Sequence, residues 1–255
     1  MEKISDIKTL TEEELKNWLK EVGEKPFRAD QIRNRLFCGQ VKSFDAMETI
    51  PAALREKLSA NFRITSLEEA KRLLSEDGTV KWLYRTHDGY HIETVLIPTN
   101  DRFSVCVSTQ IGCAQNCAFC RTAKMGFIRN LEAGEILEEI IRVNWYLEET
   151  GTKHSDGSLA KVTNIIFMGM GEPLNNLEQV HRVCCTLHHQ KLFNLGRKRM
   201  TISTSGVVPK IKELVDRNTP CCLAVSLNST NDERRSAVMP VNKVWNIAKL
   251  LEATD

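Results

Sequence analysis

Strand-like and helix-like stretches alternate four times in the second half of the chain, and this alternation constrains the fold more than any other feature. The strand-like stretches are RFSVCVST, VTNIIFMGM, RMTISTSG and CCLAVSLN. Each precedes a stretch with helical apolar spacing, and the last, VNKVWNIAKLLEATD, is predicted to be one closing helix. Successive βα units imply a parallel sheet, either doubly wound or part of a barrel. A closed eight-unit barrel needs about twice as many units, so we expect an α/β fold with an open or partial (β/α) barrel.

Two shorter regions come before these βα units. Residues 1–65 are predicted to form a small helical domain, in which a capping box at Thr11 and Glu14 begins the first helix. Pro26 precedes a second helix whose core face is expected to include Phe27, and PAALREKLSANF predicts a third. In residues 66–100, two Asp-Gly pairs beside alternating apolar residues predict antiparallel hairpins. The predicted division is therefore a helical domain (1–65), a hairpin linker (66–100) and a main domain (101–255).

The composition favours a folded chain in a reducing compartment. Hydrophobic residues make up 42% of the sequence, and no apolar run approaches the ~18 residues of a membrane span. The first ten residues are charged and show no apolar secretion signal, so we expect a cytoplasmic protein without a membrane partner. The nine cysteines would then be thiols, metal ligands or transient redox partners and not a structural disulfide framework. The four in the adjacent pairs 184–185 and 221–222 are predicted to be buried small hydrophobic residues.

Local basic clusters suggest a polyanionic substrate, although the net charge is only +2. The segment QKLFNLGRKRM contains four Lys or Arg residues and no acid. Three more basic residues, Arg121, Lys124 and Arg129, follow a cysteine-rich segment closely. Clusters of this kind are typical of nucleic-acid binding, but solvated basic loops have the same composition.

The cysteine-rich segment IGCAQNCAFC contains three thiols with the spacing CxxxCxxC and no fourth. Thiolates suit zinc or an iron-sulfur cluster. A structural zinc site usually has four protein ligands, and no His or Cys here occupies a second paired position. A 4Fe-4S cluster held by Cys113, Cys117 and Cys120 would leave one iron open to another ligand. Both a zinc site and a cluster therefore remain open at this point.

A second motif, GMGEP, follows the next strand-like stretch. Gly169 and Gly171 permit close backbone approach, and Glu172 supplies a negative charge. CxxxCxxC with an aromatic residue before its last cysteine, followed one βα unit later by GMGEP, resembles the radical S-adenosylmethionine (SAM) superfamily. The resemblance implies that the open iron binds the methionine part of SAM and that GMGEP contacts its amino group.

Several further motifs are similar, in the same order, to the RlmN/Cfr family of RNA methyltransferases within that superfamily. They are KPFRADQIRNRLF, IETVLIP, CVSTQIGCAQNCAFCRTAKMGFIRNL, NIIFMGMGEP, RMTISTSGVVP and SLN. The resemblance implies a helical accessory domain that binds RNA and methylation of an adenine carbon, C2 or C8, in 23S ribosomal RNA, with some tRNAs as further substrates. It also implies a methyl-cysteine intermediate and an electron donor such as flavodoxin.

The resemblance also assigns roles to individual residues. The predicted ligands of the 4Fe-4S cluster are Cys113, Cys117 and Cys120. The predicted contacts of SAM are Gly171, Glu172, Ser203, Ser226 and Asn228. The family often has His in place of Asn228. Cys106 matches the cysteine that resolves the RNA adduct by forming a disulfide, and Glu93 matches a proton acceptor.

One expected element is absent from residues 1–255. In the family, the cysteine that carries the methyl group lies in a C-terminal segment beyond the position of Asp255, together with the remaining βα units. The sequence therefore predicts either a piece of a methyltransferase, C2-specific or Cfr-like and C8-specific, or a truncated or inactive RNA-binding iron-sulfur protein. A zinc-stabilised nucleic-acid module is the third alternative.

Overall fold

The computed structural model describes residues 5–254; residues 1–4 and Asp255, at the outer limits of the predicted domains, lie outside this range. The N-terminal elements are β1 (Ser5–Asp6), α1 (Glu12–Glu21), α2 (Arg28–Phe37), α3 (Ala52–Asn61) and β2 (Phe62–Arg63). The predicted capping box is confirmed, since Thr11 Oγ1 accepts a hydrogen bond from Glu14 N at 3.2 Å and Glu14 Oε2 accepts one from Thr11 N at 2.7 Å. Phe27 is not in the core: it precedes the first turn of α2, and its side chain is 52% exposed.

The predicted hairpins follow as three antiparallel strands. They are β3 (Leu67–Leu74), β4 (Val80–Thr86) and β5 (His91–Thr99). Each of the two Asp-Gly pairs lies in a turn, with φ of +81° at Gly78 and +87° at Gly89. Glycine tolerates this left-handed conformation, which explains why the chain reverses there.

The remaining elements complete the main domain. In chain order they are β6 (Arg102–Cys106), β7 (Gln110–Gly112), α4 (Arg121–Lys124), β8 (Phe127–Asn130), α5 (Ala133–Glu149), β9 (Asn164–Phe167), α6 (Leu177–His188), β10 (Met200–Thr204), α7 (Val208–Asp216), β11 (Cys222–Val225), α8 (Asp232–Val238) and α9 (Ile247–Glu252). The sequence does not predict the short hairpin of β7 and β8, which flanks the three cysteines of the CxxxCxxC segment.

Seven strands form one sheet in the order β11-β10-β9-β6-β5-β4-β3. The four strands from β6 to β11 in this sheet are parallel to their neighbours, and β5, β4 and β3 extend the sheet antiparallel. The described strands leave this sheet open, which confirms the predicted α/β fold with a partial barrel. The hairpin strands are thus hydrogen-bonded into the same sheet as the parallel strands; the division into three domains stays a prediction.

Three buried glutamates of α5 connect this helix to three other parts of the chain. Glu135 pairs with Arg129 next to the cysteine segment, with Oε2 2.7 Å from Nη1. Glu138 accepts a hydrogen bond from Ser66 N at 2.6 Å. Glu139 accepts one from Ser108 N at 3.0 Å, just after β6. Because carboxyl groups are rarely buried without hydrogen-bond partners, these contacts help to fix the position of α5 relative to the strand ends.

Two predictions about the C-terminal part and the paired cysteines are wrong in detail. The expected closing helix is broken into a 3₁₀ turn at Pro240–Lys243 and α9, which Asn246 caps by accepting a hydrogen bond from Lys249 N at 3.1 Å. Cys184 and Cys221 are buried as predicted, but Cys222 is half-buried and Cys185 is exposed. Cys184 and Cys185 differ because adjacent helix residues point about 100° apart. None of the described helices is long and apolar enough to cross a membrane.

Candidate functional site

The eight residues that the family resemblance assigns to the cluster and to SAM line one cavity of about 330 Å³ at the carboxyl ends of the parallel strands. They are Cys113, Cys117, Cys120, Gly171, Glu172, Ser203, Ser226 and Asn228. The cavity size lies in the range of about 300–1,000 Å³ that is typical of small-molecule sites. In parallel α/β folds this edge of the sheet is where ligands usually bind.

The hairpin of β7 and β8 positions the cysteine segment. Gly112 has a φ of +73° and packs directly against the backbone of Gly126, and Cys113 N donates a hydrogen bond to Gly126 O at 2.9 Å. Beyond it, Cys120 N donates to Cys117 O at 3.1 Å. The three cysteines therefore lie on one short, closed loop on a single side of the cavity.

Two thiols of this loop lie in surroundings that disfavour the thiolate form. Burial raises the pKa of Cys113, and burial together with the neighbouring thiols raises the pKa of Cys117 to about 11. No three His, Cys, Asp or Glu side chains among residues 5–254 are arranged as ligands of a single metal ion. A cluster makes a different demand, because each thiolate binds its own iron. Three soft donors on one loop beside an open cavity fit such a group.

The GMGEP motif forms the opposite wall of the cavity. A Cβ at Gly169 would lie 2.6 Å from Val107 O, and one at Gly171 would lie 2.6 Å from Gln110 Cβ, so only glycine fits at either position. Glu172 is 3% exposed, and its Oε2 accepts hydrogen bonds from Ser205 N at 2.8 Å and from Ser205 Oγ at 2.7 Å. A carboxylate held in this way presents fixed negative charge next to the cysteine loop.

The strand ends of β10 and β11 supply the polar floor. Ser203 Oγ and Ser226 Oγ lie 3.2 Å apart and hydrogen-bond each other. Asn228 has a φ of +57°, and its Nδ2 lies 3.0 Å from Met239 Sδ. These short polar side chains face a space that a zwitterionic ligand with hydrogen-bonding groups could occupy.

Cys106 and Glu93 lie outside the cavity lining but on the same face of the sheet as Ser203. Cys106 pairs in register with Val95, two residues from Glu93, and across β9 with Ile166, which pairs with Thr201, two residues from Ser203. Side chains two residues apart on a strand share a face. The structure therefore places these two residues on the same face of the sheet as Ser203.

Each of these two side chains has its own partners. Burial raises the pKa of the Cys106 thiol to about 11, although the nearby backbone of Met168, a cavity residue, lowers it in part. Glu93 forms an ion pair with Lys81, with Oε1 2.7 Å from Nζ, and its side chain is 43% exposed.

The three basic residues after the cysteines differ in whether their side chains are free of ion pairs and exposed, and so able to contact a polyanion. Arg129 is bound on both sides, by Asp88 with Nε 2.7 Å from Oδ2 and by Glu135. Arg121 and Lys124 are exposed on α4. Of the three basic residues predicted to contact a polyanion, Arg129 is therefore committed to a structural ion pair.

Sequence reasoning missed several residues that build the site. Gln110 Oε1 accepts a hydrogen bond from Glu172 N at 2.8 Å, and Ser205 holds the Glu172 carboxylate. Ser205 belongs to the STSG motif, whose position after a strand was a usable signal. Met239 and the buried Arg235 come from α8 and the turn that follows it, which no local pattern connects to the cavity.

Comparison with known proteins agrees with this geometry. Residues 5–64 match the family model of the ribosomal RNA large subunit methyltransferase N-terminal domain, and residues 107–254 match the radical SAM superfamily. A probable dual-specificity RNA methyltransferase RlmN of Bacillus pumilus is 44% identical over 242 residues, which are 95% of this chain and 65% of that protein. The dual-specificity RNA methyltransferase RlmN of Anaeromyxobacter dehalogenans is 43% identical over 248 residues, 97% of this chain and 66% of the relative.

A solved structure is also similar over nearly the whole chain. A radical SAM methyltransferase from Sphaerobacter thermophilus superposes with a TM-score of 0.90 at 39% identity, covering 98% of this chain and 71% of that one. The chain thus spans about two thirds of the length of the curated relatives it matches. The resemblance seen in the motifs is confirmed, and the chain belongs to the RlmN family of the radical SAM superfamily.

Proposed function

We propose that this chain is the cluster-binding and SAM-binding part of an enzyme that methylates C2 of an adenine in 23S ribosomal RNA and in some tRNAs. The observation that carries the proposal is the cavity itself. It collects a CxxxCxxC loop, a buried glutamate in a glycine-rich turn and the polar ends of two parallel strands. A ring carbon at this position of adenine is a poor nucleophile, so polar methyl transfer is disfavoured and radical chemistry is required.

The three cysteines would hold a 4Fe-4S cluster, and SAM would fill the remainder of the cavity. Bound together, the two cofactors supply the one-electron cleavage that makes an unreactive carbon accessible to chemistry. The raised pKa of the Cys113 and Cys117 thiols means that the positive charge of bound iron is needed to hold them as thiolates.

The remaining cavity residues would bind and orient SAM. Glu172 would accept hydrogen bonds from the amino group of SAM, because its carboxylate is already fixed by Ser205. Gly171 lets Gln110 pack directly against the turn that carries Glu172, because any side chain at position 171 would collide with Gln110. Ser203, Ser226 and Asn228 would donate hydrogen bonds to the carboxylate and ribose oxygens of SAM. Fixed donors of this kind orient a ligand without further reorganisation.

Cys106 and Glu93, which share a sheet face with Ser203, would act on the RNA. In the proposed release step, Cys106 attacks the sulfur that joins the methyl-carrying cysteine to the RNA. An S–S bond forms, the C–S bond breaks, and its electron pair remains on the carbon, which takes up a proton. A thiol whose pKa is about 11 needs a base for this attack. Glu93 is proposed as the acceptor of the proton that leaves the adenine carbon.

The proposed partners follow from the same assignment. Arg121 and Lys124, exposed beside the cavity, would contact RNA phosphates, together with the helical N-terminal unit. An electron donor such as flavodoxin would reduce the cluster, and both the RNA substrate and the reduced thiols agree with a cytoplasmic protein.

Anaerobic reconstitution of this chain with iron and sulfide tests the proposal. We expect about four iron atoms per chain with a visible absorption band, and formation of 5′-deoxyadenosine on addition of SAM and a reductant. The variant Cys117→Ala should lose both, whereas Cys185→Ala, an exposed cysteine outside the cavity, should keep both. A colourless chain that binds only zinc would refute the assignment.

The RNA product distinguishes the remaining alternatives. Mass spectrometry of 23S ribosomal RNA and tRNA from a strain without the gene should show loss of 2-methyladenosine. Loss of 8-methyladenosine instead would identify a Cfr-like C8 enzyme. If both marks are unchanged although the purified chain binds its cluster, the protein is an inactive RNA-binding member of the family.

A further inference from the structure

Arg235 is a fully buried arginine that forms no direct ion pair with a carboxylate among residues 5–254. It lies in α8 with 0% of its surface exposed. Its guanidinium donates three hydrogen bonds: Nε to Leu227 O at 3.0 Å, Nη2 to Ser205 O at 2.6 Å and Nη1 to Asn242 Oδ1 at 2.7 Å. A buried cation is costly unless its donors are satisfied, so these contacts must hold it tightly.

Two of these acceptors, Ser205 O and Leu227 O, follow the ends of the neighbouring strands β10 and β11. Ser205 follows β10, and its amide and hydroxyl groups hold the Glu172 carboxylate. Leu227 follows β11 and immediately precedes Asn228, which lines the cavity. One guanidinium therefore joins the strand end that fixes Glu172 to the strand end that carries Ser226 and Asn228.

The same helix also contacts the cysteine loop. Ala118 N, between Cys117 and Cys120, donates a hydrogen bond to Val238 O at 2.9 Å. The next residue, Met239, is buried in the cavity wall, and its amide donates to Arg235 O at 2.7 Å. The segment 235–239 is thus connected to the cysteine loop and to both strand ends.

We propose that Arg235 is a positioning residue that sets the spacing between the Glu172 wall, the Asn228 wall and the cysteine loop, and so determines the affinity of this cavity for SAM. The proposal rests on the proposed function. A planar guanidinium can donate in several fixed directions at once, whereas a lysine ammonium on the same stem cannot reach both carbonyls in the same geometry. The spacing of the walls should therefore depend on the shape and the several donors of the guanidinium group as well as on its positive charge.

The test compares Arg235→Lys and Arg235→Met with Arg234→Met, which removes an exposed arginine from the same helix. Each variant is reconstituted anaerobically, and iron content, thermal unfolding and the dissociation constant of SAM are measured separately. We expect both Arg235 variants to bind SAM about tenfold or more weakly while the cluster still forms. Arg234→Met should bind SAM like the unaltered chain.

A spectroscopic signature separates positioning from general destabilisation. Addition of SAM should change the electron paramagnetic resonance spectrum of the reduced cluster in the unaltered chain, and less so in Arg235→Lys at the same SAM occupancy. If Arg235→Met does not fold, Arg235→Lys decides, because it keeps the buried charge. A folded Arg235→Lys chain with unchanged SAM affinity and an unchanged spectrum would overturn the positioning role.

The two proposals fail in different ways. If the unaltered chain forms no cluster, the proposed function is wrong, and the Arg235 experiment loses its basis. If the unaltered chain forms a cluster and binds SAM but the Arg235 variants behave like Arg234→Met, only the positioning role is wrong.

Discussion

Replacing Gly112 with alanine is expected to open the hairpin that carries the cysteine loop, whereas the same replacement at Gly126 is not. Both glycines have a left-handed conformation, with φ of +73° at Gly112 and +70° at Gly126. A Cβ at position 112 would overlap the carbonyl oxygen of Gly126, while a Cβ at position 126 meets no atom within 4 Å. The two variants therefore share the backbone strain and differ in the steric overlap.

The size of the difference follows from these contacts. The left-handed conformation costs a residue with a Cβ about 1–2 kcal/mol, and this loss is expected in both variants. At position 112 the overlap also separates Cys113 N from Gly126 O, now 2.9 Å apart. A lost hydrogen bond of about 1 kcal/mol and overpacking of about 1–3 kcal/mol make Gly112→Ala about 2–4 kcal/mol less stable than Gly126→Ala.

Urea unfolding of the reduced, metal-free chains, monitored by the fluorescence of the four tryptophans, measures this difference in the free energy of unfolding. Iron content after anaerobic reconstitution should then fall in Gly112→Ala and stay near the unaltered value in Gly126→Ala. Equal unfolding midpoints for the two variants, or normal cluster formation in Gly112→Ala, would show that the close approach of the two hairpin strands does not hold the cysteine loop.

Two further changes test the buried charges around α5. Burial raises the pKa of Glu139 above its ordinary value, so this carboxyl group ionises at a lower pH in the unfolded chain than in the folded chain. The free energy of unfolding should therefore fall by about 1.4 kcal/mol per pH unit as the pH rises from the unfolded pKa, near 4.3, to the folded pKa. Glu139→Gln should remove this dependence from pH-resolved urea unfolding, while Glu148→Gln, at an exposed position of the same helix, should keep it. Lys8→Met leaves the buried Asp6 carboxylate without an ion pair and removes one of the two cations paired with Glu138, which keeps Arg142, and it should cost about 3–5 kcal/mol by thermal or urea unfolding. Lys16→Met, which breaks an exposed pair, should change little.

The elements that the sequence predicted correctly are those with local signals. The capping box of α1 and the Asp-Gly turns of β3–β5 depend on residues a few positions apart, and the structure confirms them. The prediction of one closing helix over residues 241–255 was wrong because its first residues belong to the 3₁₀ turn that begins at Pro240, and Asn246 caps a new helix, α9, within it. The apolar period alone did not reveal these interruptions, since it continues across them.

The site follows the same division between local and non-local information. The cysteine spacing and the GMGEP turn are continuous in sequence, so they could be identified from residue types alone. Ser205, Gln110 and Arg235 act through contacts with residues 30–62 positions away in the chain. Only Ser205 has a local signal, the STSG motif after a strand, and nothing local marks Gln110 or Arg235. Serine and glutamine are also common in loops for unrelated reasons. Their roles became visible only from the register of the sheet and the position of α8.

Cys106 and Glu93 lie outside the cavity lining, on a sheet face that they share with one cavity residue. Both lie on the sheet face that also carries Ser203, and the backbone of Met168 connects the Cys106 thiol to the cavity rim. The CxxxCxxC loop follows the strand ends, Cys106 is the last residue of β6, and Glu93 lies within β5. Because residues on one face of a sheet border the same space, a substrate that reaches the cavity from this face would contact Cys106 and Glu93 on its way. The residues proposed to act on the RNA therefore lie on the sheet face that also carries Ser203, and the cysteines proposed to hold the cluster lie on the loop after the strand ends.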